Sequence, residues 1–267
     1  MVTRGRDIVS YVFNIPFRDN QKLKRVISLV KRDVKLQTLW KCANTMAIDR
    51  LGYTDHGPTH VKIVANSALR LLRILIDNKV MPSIVRNYGM KNEDAEVVVV
   101  LGSIFHDLGM VVTRDGHELY GALLASGLIE KFLQQIYSEE ERTIILSEVL
   151  HAIVSHEETR KPLTVEAGIV QIADALDMEK GRARIPFQSG KVDIHSVSAL
   201  SIEKVDIQEG DKMPVTIKIT MSNSAGIFQI DELLKPRIEN SGLKNYIHVV
   251  AEITQEKETK IIEKFEI

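Results

Sequence analysis

The sequence predicts an α+β protein in which an all-α helical body, residues 1–189, precedes a small α+β domain, residues 190–267. In the first part, apolar residues recur at helical spacing and show no strand period. After Gly190, apolar and polar residues alternate in short segments, as in half-buried strands. We divide the body further into N-terminal helices, residues 1–52, and a helical core, residues 53–189.

Helical spacing predicts six helices in the body, over residues 20–51 (with one break), 58–78, 92–109, 117–137, 138–155 and 164–178. Two of them have start signals. Asn92 is a capping type of residue and is followed by acids at the positive end of the helix dipole. Ser138 with Glu141 three residues later forms a capping-box pattern.

The C-terminal segment alternates over residues 192–205, 215–221, 246–254 and 260–267, and reads as helical over residues 230–240. This β-β-α-β-β order within about 75 residues predicts a small α+β domain of ferredoxin-like or similar topology.

Composition excludes several classes of protein. The chain has 267 residues, of which 44% are hydrophobic and 27% charged, with a net charge of −1, as in ordinary globular proteins. The single cysteine, Cys42, cannot form an internal disulfide. The longest apolar run, Val97–Leu101, is far shorter than the roughly 20 residues of a membrane span. We therefore expect a cytoplasmic protein that does not enter a membrane.

Residues 1–50 are basic, with 11 Lys and Arg against 4 Asp and Glu, a net charge of +7. Such a segment can attract an anionic ligand or nucleic acid, although a solvated helix face gives the same pattern. A nucleic-acid partner is compatible with the sequence but is not favoured.

Six of the eight histidines fall between positions 56 and 156. His106 and Asp107 end a strongly apolar helix, where burying a carboxylate is unfavourable unless it is paired or bound to metal. His60 lies at a helix start, and Asp174 interrupts another apolar run. Four ligand-type residues at such positions predict a divalent metal site.

The ordered set of His60, the pair His106 and Asp107, and Asp174 in the run A-D-A-L-D resembles the HD-domain superfamily of metal-dependent phosphohydrolases. The resemblance covers about residues 55–185. It implies an HD-type helical core in which these four residues hold one divalent ion.

Two further segments resemble two-metal members of the superfamily: H-x-x-x-G-A, which starts at His117, and A-I-x-x-H, which ends at His156. The resemblance implies a second ion on these histidines, with Asp107 bridging. His56 and His151 are weaker ligand candidates, and His56 suits a role in orienting a ligand or substrate. Mixed imidazole and carboxylate ligands suit Mn, Fe, Co, Ni or Zn, and Mg is also compatible.

The resemblance implies hydrolysis of a phosphoester or phosphoanhydride, with a nucleotide-like substrate, by a metal-activated water. Asp107 would act in catalysis through both ions. Lys180, Arg182 and Arg184 follow Asp174 closely, as a basic residue does at a comparable distance in several HD families, and arginine suits paired contacts with phosphate. That these three are surface charges of a loop is an equally open interpretation.

Two other functions stay open at this point. One is a regulatory or binding protein with weak or no turnover, since the C-terminal segment carries no evident chemistry. The other is a mixed-valent di-iron oxygenase, because some two-metal HD proteins oxidise their substrates. We also expect a homo-oligomer.

Overall fold

The computed structural model describes residues 13–181 and 198–253. Within them the body consists of α1 (Gln21–Arg32), α2 (Val34–Asn44), α3 (Pro58–Asp77), α4 (Ser83–Tyr88), α5 (Asn92–Phe105), α6 (His117–Leu133), α7 (Glu139–Ser155) and α8 (Val165–Ala175). A π-helical turn, Thr45–Arg50, extends α2, and a 3-10 turn, Leu108–Val111, follows α5. The predicted all-α body is confirmed.

The predicted break in the first helix falls at Asp33, which ends α1 and caps α2 by accepting the Leu36 N–H at 2.8 Å. The capping box of α7 is also present, with the Ser138 N–H donated to the Glu141 carboxylate at 2.9 Å.

The predicted capping role of Asn92 is wrong, because Asn92 is the first residue inside α5. The cap position belongs to Lys91, whose N–H is donated to the Asp94 carboxylate at 2.9 Å. The helix α4 was not predicted, because its six residues are too few to show a helical period.

The centre of the body is α5, which contacts α3, α7 and α8. Every residue from Val97 to Phe105 is buried. A helix that is apolar on all sides must be surrounded by other elements. The strongest apolar run of the sequence therefore builds the middle of the molecule, and its C-terminal end delivers His106 and Asp107 into the interior.

The C-terminal region contains a three-stranded sheet in which β2 (Val215–Met221) lies between β1 (Ile202–Glu209) and β3 (Ile247–Ile253). The pair β1 and β2 is antiparallel, and β2 and β3 are parallel. Parallel neighbours need a crossover. Here it is a helical run that includes α9 (Ile227–Gln229), a π turn (Ile230–Leu234) and α10 (Lys235–Asn240).

The small α+β segment is confirmed, and β2 alternates between buried and partly buried residues as predicted. The first strand begins at Ile202 rather than at residue 192, and residues 192–197 lie outside the described part of the chain. The strand predicted over residues 260–267 lies outside it as well.

The sheet and the helices share one hydrophobic core. Asp206 of β1 lies 3.6 Å from Arg70 of α3. On the other side, α10 ends against α8, where Gly168 faces the Ser241 carbonyl so closely that a Cβ would overlap it. Among the residues described, no helix is long and apolar enough to cross a membrane.

Candidate metal centre

The ends of several helices bring the ligand-type side chains together. His60 is in the first turn of α3, where the Asp55 carboxylate accepts the N–H groups of Gly57 at 2.9 Å and of His60 at 3.3 Å. His106 and Asp107 follow α5 directly, and Asp174 is in the last turn of α8. Packing of α3, α5 and α8 against one another thus places the three segments at one point.

A first cluster consists of His60, His106, Asp107 and Asp174. His60 Nε2 lies 3.1 Å from His106 Nε2, 3.2 Å from Asp107 Oδ2 and 3.2 Å from Asp174 Oδ1. His106 Nε2 lies 3.2 Å from Asp107 Oδ2 and 3.5 Å from Asp174 Oδ1. Two imidazole and two carboxylate donors therefore face one small space, as around a divalent transition metal.

A second cluster lies on the other side of Asp107. His117 Nε2 is 3.0 Å from His156 Nε2, 3.4 Å from Asp107 Oδ1 and 4.0 Å from Glu157 Oε2. His156 Nε2 is 3.9 Å from the same oxygen of Asp107. Each carboxylate oxygen of Asp107 thus faces a different pair of histidines.

The four histidines of the clusters are oriented in the same way. Their Nδ1 atoms lie next to oxygen acceptors: Asp177 Oδ2 at 2.6 Å from His60, and the carbonyl oxygens of Ser103, Arg114 and Ile153 at 2.8, 3.0 and 2.6 Å from His106, His117 and His156. With a hydrogen on Nδ1, the Nε2 lone pairs of His60, His106 and His156 point into the clusters. This is the tautomer that binds a metal through Nε2. At His117 the Arg114 guanidinium, 2.9 Å from the same Nδ1, competes with the carbonyl oxygen.

Pairs of Nε2 lone pairs about 3 Å apart repel unless a cation or proton lies between them. Burial disfavours the charged form of His106, but the carboxylates of Asp107 and Asp174 outweigh it and raise the pKa of His106 to about 9. Burial would raise the pKa of both carboxyl groups. The charge of His106 holds the pKa of Asp107 well below the ordinary value, and a hydrogen bond from His106 does the same at Asp174. The first cluster therefore attracts positive charge.

The second cluster behaves differently. Burial, together with the charges of His106 and His117, lowers the pKa of His156 to about 3. His156 is thus neutral and available as a ligand at physiological pH. Asp107 Oδ2 is buried and accepts no hydrogen bond from any residue of the described chain. An unsatisfied buried carboxylate oxygen between ligand-type nitrogens fits a bound cation.

Of the two weaker candidates, the structure places His151 apart from the two clusters and His56 beside the first. His151 Nε2 accepts the Leu163 N–H at 3.0 Å, and its Nδ1 lies 3.2 Å from the Ser155 hydroxyl, so His151 fixes a loop and does not join the ligands. The ring of His56 lies 5.9 Å from the ring of His60, and its Nδ1 is 2.8 Å from the Thr54 carbonyl oxygen.

Of the predicted phosphate-binding cations, Lys180 is exposed and lies 3.7 Å from Glu203 of β1. Arg182 and Arg184 lie outside the described residues.

Sequence reasoning missed three carboxylates. Glu157 lies within reach of His117 and His156 in the second cluster. Asp177 holds His60, and Glu118 is buried with its carboxylate 3.7 Å from His117 Nδ1. Glu157 directly follows a predicted ligand, and Asp177 ends the A-D-A-L-D run, so adjacency was the available signal.

The approach of α6 to the turn after Asp107 depends on glycine. Gly109 lies so close to the His117 carbonyl oxygen and the Gly121 amide nitrogen that a Cβ there would overlap both. Glycine permits such contact between backbones. His117 therefore reaches the second cluster because α6 lies directly against the 3-10 turn.

A helical body that gathers one histidine, a His-Asp pair and a later aspartate at its helix ends defines an HD-domain protein. The family model described as "HD domain" matches residues 59–179. The chain belongs to the HD superfamily of metal-dependent phosphohydrolases, whose members bind divalent metals.

Two known proteins are similar to the chain in sequence. The chain is 47% identical over 234 residues to an uncharacterized protein of Methanocaldococcus jannaschii, MJ1020. The alignment covers 88% of this chain and 90% of the relative. It is 26% identical over 175 residues to a ribonuclease Y of the Aster yellows witches'-broom phytoplasma, with 63% of this chain aligned. The alignment spans only 30% of the ribonuclease Y chain.

Proposed function

We propose that this protein is a phosphohydrolase that binds two divalent ions and hydrolyses a phosphoester or phosphoanhydride of a nucleotide-like substrate. The observation that carries the proposal is the position of Asp107. Its Oδ2 lies 3.2 Å from Nε2 of both His60 and His106, and its Oδ1 lies 3.4 Å from Nε2 of His117. A carboxylate with one oxygen toward each of two histidine pairs suits a bridging ligand.

The first ion would be held by His60, His106, Asp107 and Asp174, and the second by His117, His156, Asp107 and Glu157. When bound, such ions lower the pKa of a water molecule and offset the charge that develops on a phosphoryl group. The chain contributes imidazoles held in place by their Nδ1 contacts and carboxylates that stay ionised. Because these groups are already oriented, little reorganisation is needed at the moment of reaction.

Cationic side chains near the second cluster suit a phosphorylated substrate. Arg114 is partly exposed, with Nη1 2.9 Å from His117 Nδ1 and 3.8 Å from Glu157 Oε2. Arg160 is about half exposed and lies 3.4 Å from the Glu118 carboxylate. Guanidinium groups bind phosphate oxygens in pairs. We assign substrate binding to Arg114, and retain Arg182 and Arg184 as further candidates. Lys180 is a weaker candidate because of its contact with Glu203.

The test begins with elemental analysis of wild-type protein purified without chelator, beside His117→Ala. We expect two ions per chain in the wild type and one in the variant. The loaded wild type is then assayed on a panel of nucleotide phosphoesters and phosphoanhydrides. Arg182→Ala should keep its metal and lose substrate affinity and rate, and unchanged kinetics would make Arg182 a surface charge.

Other outcomes identify other functions. Two ions without turnover on any phosphoester favour a regulatory or binding protein. Two iron ions with oxygen uptake favour an oxygenase. One ion in both proteins contradicts the two-metal proposal.

A further inference from the structure

The loop after α7 carries two of the proposed ligands of the second ion. We call residues 156–163 the His156 loop. It begins with His156 and Glu157 and contains neither helix nor strand. One backbone bond, from the Arg160 N–H to the Glu157 carbonyl at 3.0 Å, closes its turn. A loop with few bonds of its own depends on its neighbours for a fixed conformation.

Gln171 of α8 holds the His156 loop from inside the body. Its side chain is fully buried, and its amide nitrogen lies 2.9, 3.1 and 3.0 Å from the carbonyl oxygens of Ser155, Glu157 and Arg160. Gln171 is one helical turn before Asp174, so a single helix fixes a ligand of the first cluster and the backbone beside the second.

The C-terminal region holds the same loop from the outside. Asn240 is the last residue of α10. Its side-chain NH2 group donates hydrogen bonds to the carbonyl oxygens of Glu158 at 3.1 Å and Arg160 at 2.8 Å. Arg237, one turn earlier, donates to the Glu158 carboxylate at 3.2 Å. The position of α10 is itself fixed, because it ends where Gly168 lies against the Ser241 carbonyl.

The loop also leads to the other histidine of the second cluster. Arg160, whose carbonyl Asn240 binds, extends its guanidinium to the Glu118 carboxylate at 3.4 Å. Glu118 is buried beside His117 Nδ1. The bonds of Asn240 therefore act on a short segment that carries His156 and Glu157 and that contacts the neighbour of His117.

We propose that Asn240 is a positioning residue for the second metal ion, and that the C-terminal region thereby sets the affinity of that ion. The inference rests on the proposed function, because it requires two ions. Partners that orient metal ligands through hydrogen bonds commonly change metal affinity by about 10- to 100-fold when they are lost. The first cluster has no ligand on the His156 loop and keeps its affinity.

The experiment titrates metal-depleted, full-length protein with Co²⁺, followed by calorimetry and by visible absorption of the bound Co²⁺. The variants are Asn240→Ala and Asn240→Asp, which removes the donor without changing the shape of the side chain. Glu239→Ala is the matched control. This exposed neighbour on α10 binds Lys244 at 3.0 Å and has no described contact with the loop.

We expect the second Co²⁺ to bind about tenfold more weakly or worse in both Asn240 variants, with its absorption bands altered. The first Co²⁺ should bind as in the wild type. Hydrogen exchange of the loop amides should become faster in these variants and stay unchanged in Glu239→Ala.

Two results would overturn the inference alone. One is a second Co²⁺ that binds both Asn240 variants as tightly as the wild type. The other is an equal loss of both ions, which shows general destabilisation. A wild type that takes up one Co²⁺ or none refutes the two-ion function itself, and this inference with it. The wild-type titration thus separates the two failures.

Discussion

Replacing Asp107 with Asn tests the proposed centre most directly, because it removes one charge and keeps the size of the side chain. Asp107 contributes an oxygen to each cluster. In the variant, the amide has one oxygen and one NH2 group, which cannot bind a metal, so at least one of the two ions loses this ligand. Both clusters also lose the negative charge of Asp107.

The size of the effect follows from linkage. Each ion present at a hundred times its dissociation constant stabilises the folded state by about 2.7 kcal/mol, so two ions contribute about 5 kcal/mol. In a chain of roughly 250 residues, 1 kcal/mol changes the melting temperature by about 2–4 °C. The wild type should therefore melt about 10–20 °C higher with metal than with chelator. For Asp107→Asn we expect less than about 5 °C, since neither ion retains its full affinity.

The assay is thermal unfolding with and without chelator, together with elemental analysis and phosphoester turnover. Asp115→Asn is the matched control, because Asp115 is an exposed acid in the loop before α6. The control should keep two ions and the full shift. If Asp107→Asn also kept two ions and the full shift, the bridging role would be refuted.

Three further predictions follow from the site. Asp177→Asn should weaken the first ion about 10- to 100-fold by loosening His60, and unchanged affinity in a Co²⁺ titration would contradict this. Gly109→Ala should lower the free energy of unfolding by at least about 1–3 kcal/mol, because the added Cβ overlaps the backbone of α6. Gly127→Ala places its Cβ in open space on α6 and should not lower it. Chemical denaturation measures both. In metal-depleted protein, the pKa of His106 is about 9, against an ordinary 6.5. Protonated His106 should therefore add about 3 kcal/mol to the free energy of unfolding below pH 6.5, and this stability should be lost as pH rises through 9. Chemical denaturation of His106→Gln at several pH values should not show this loss.

Local patterns were sufficient for most of the body. Helical spacing located seven of the helices that the structure describes in the body, α5 among them, because side-chain periodicity is a property of neighbouring residues. It failed for α4, which is too short for a period. The start of α5 was predicted correctly, but the cap was not, because the Asp94 carboxylate and not Asn92 accepts the Lys91 N–H.

Residue types and their order along the chain also identified the family and proposed six ligands. The chemistry of histidine and aspartate is a property of the side chain itself, so an apolar helix ending in His106 and Asp107 was informative without coordinates. By contrast, adjacency to His156 was the available local signal for Glu157, and nothing local excluded His151. The contact of His151 with the Leu163 N–H becomes visible only when the loop is folded.

The sequence by itself thus determined the helical body, the family and the kinds of ligand. Tertiary structure alone decided which oxygen of Asp107 faces which histidine pair, which carboxylate holds His60, and that Asn240 binds the His156 loop. The physical reason is separation along the chain. His60 and Asp177 are 117 residues apart, and Asn240 and Glu158 are 82 apart. Contacts over such distances are set by how helices pack, which no short pattern of residues records.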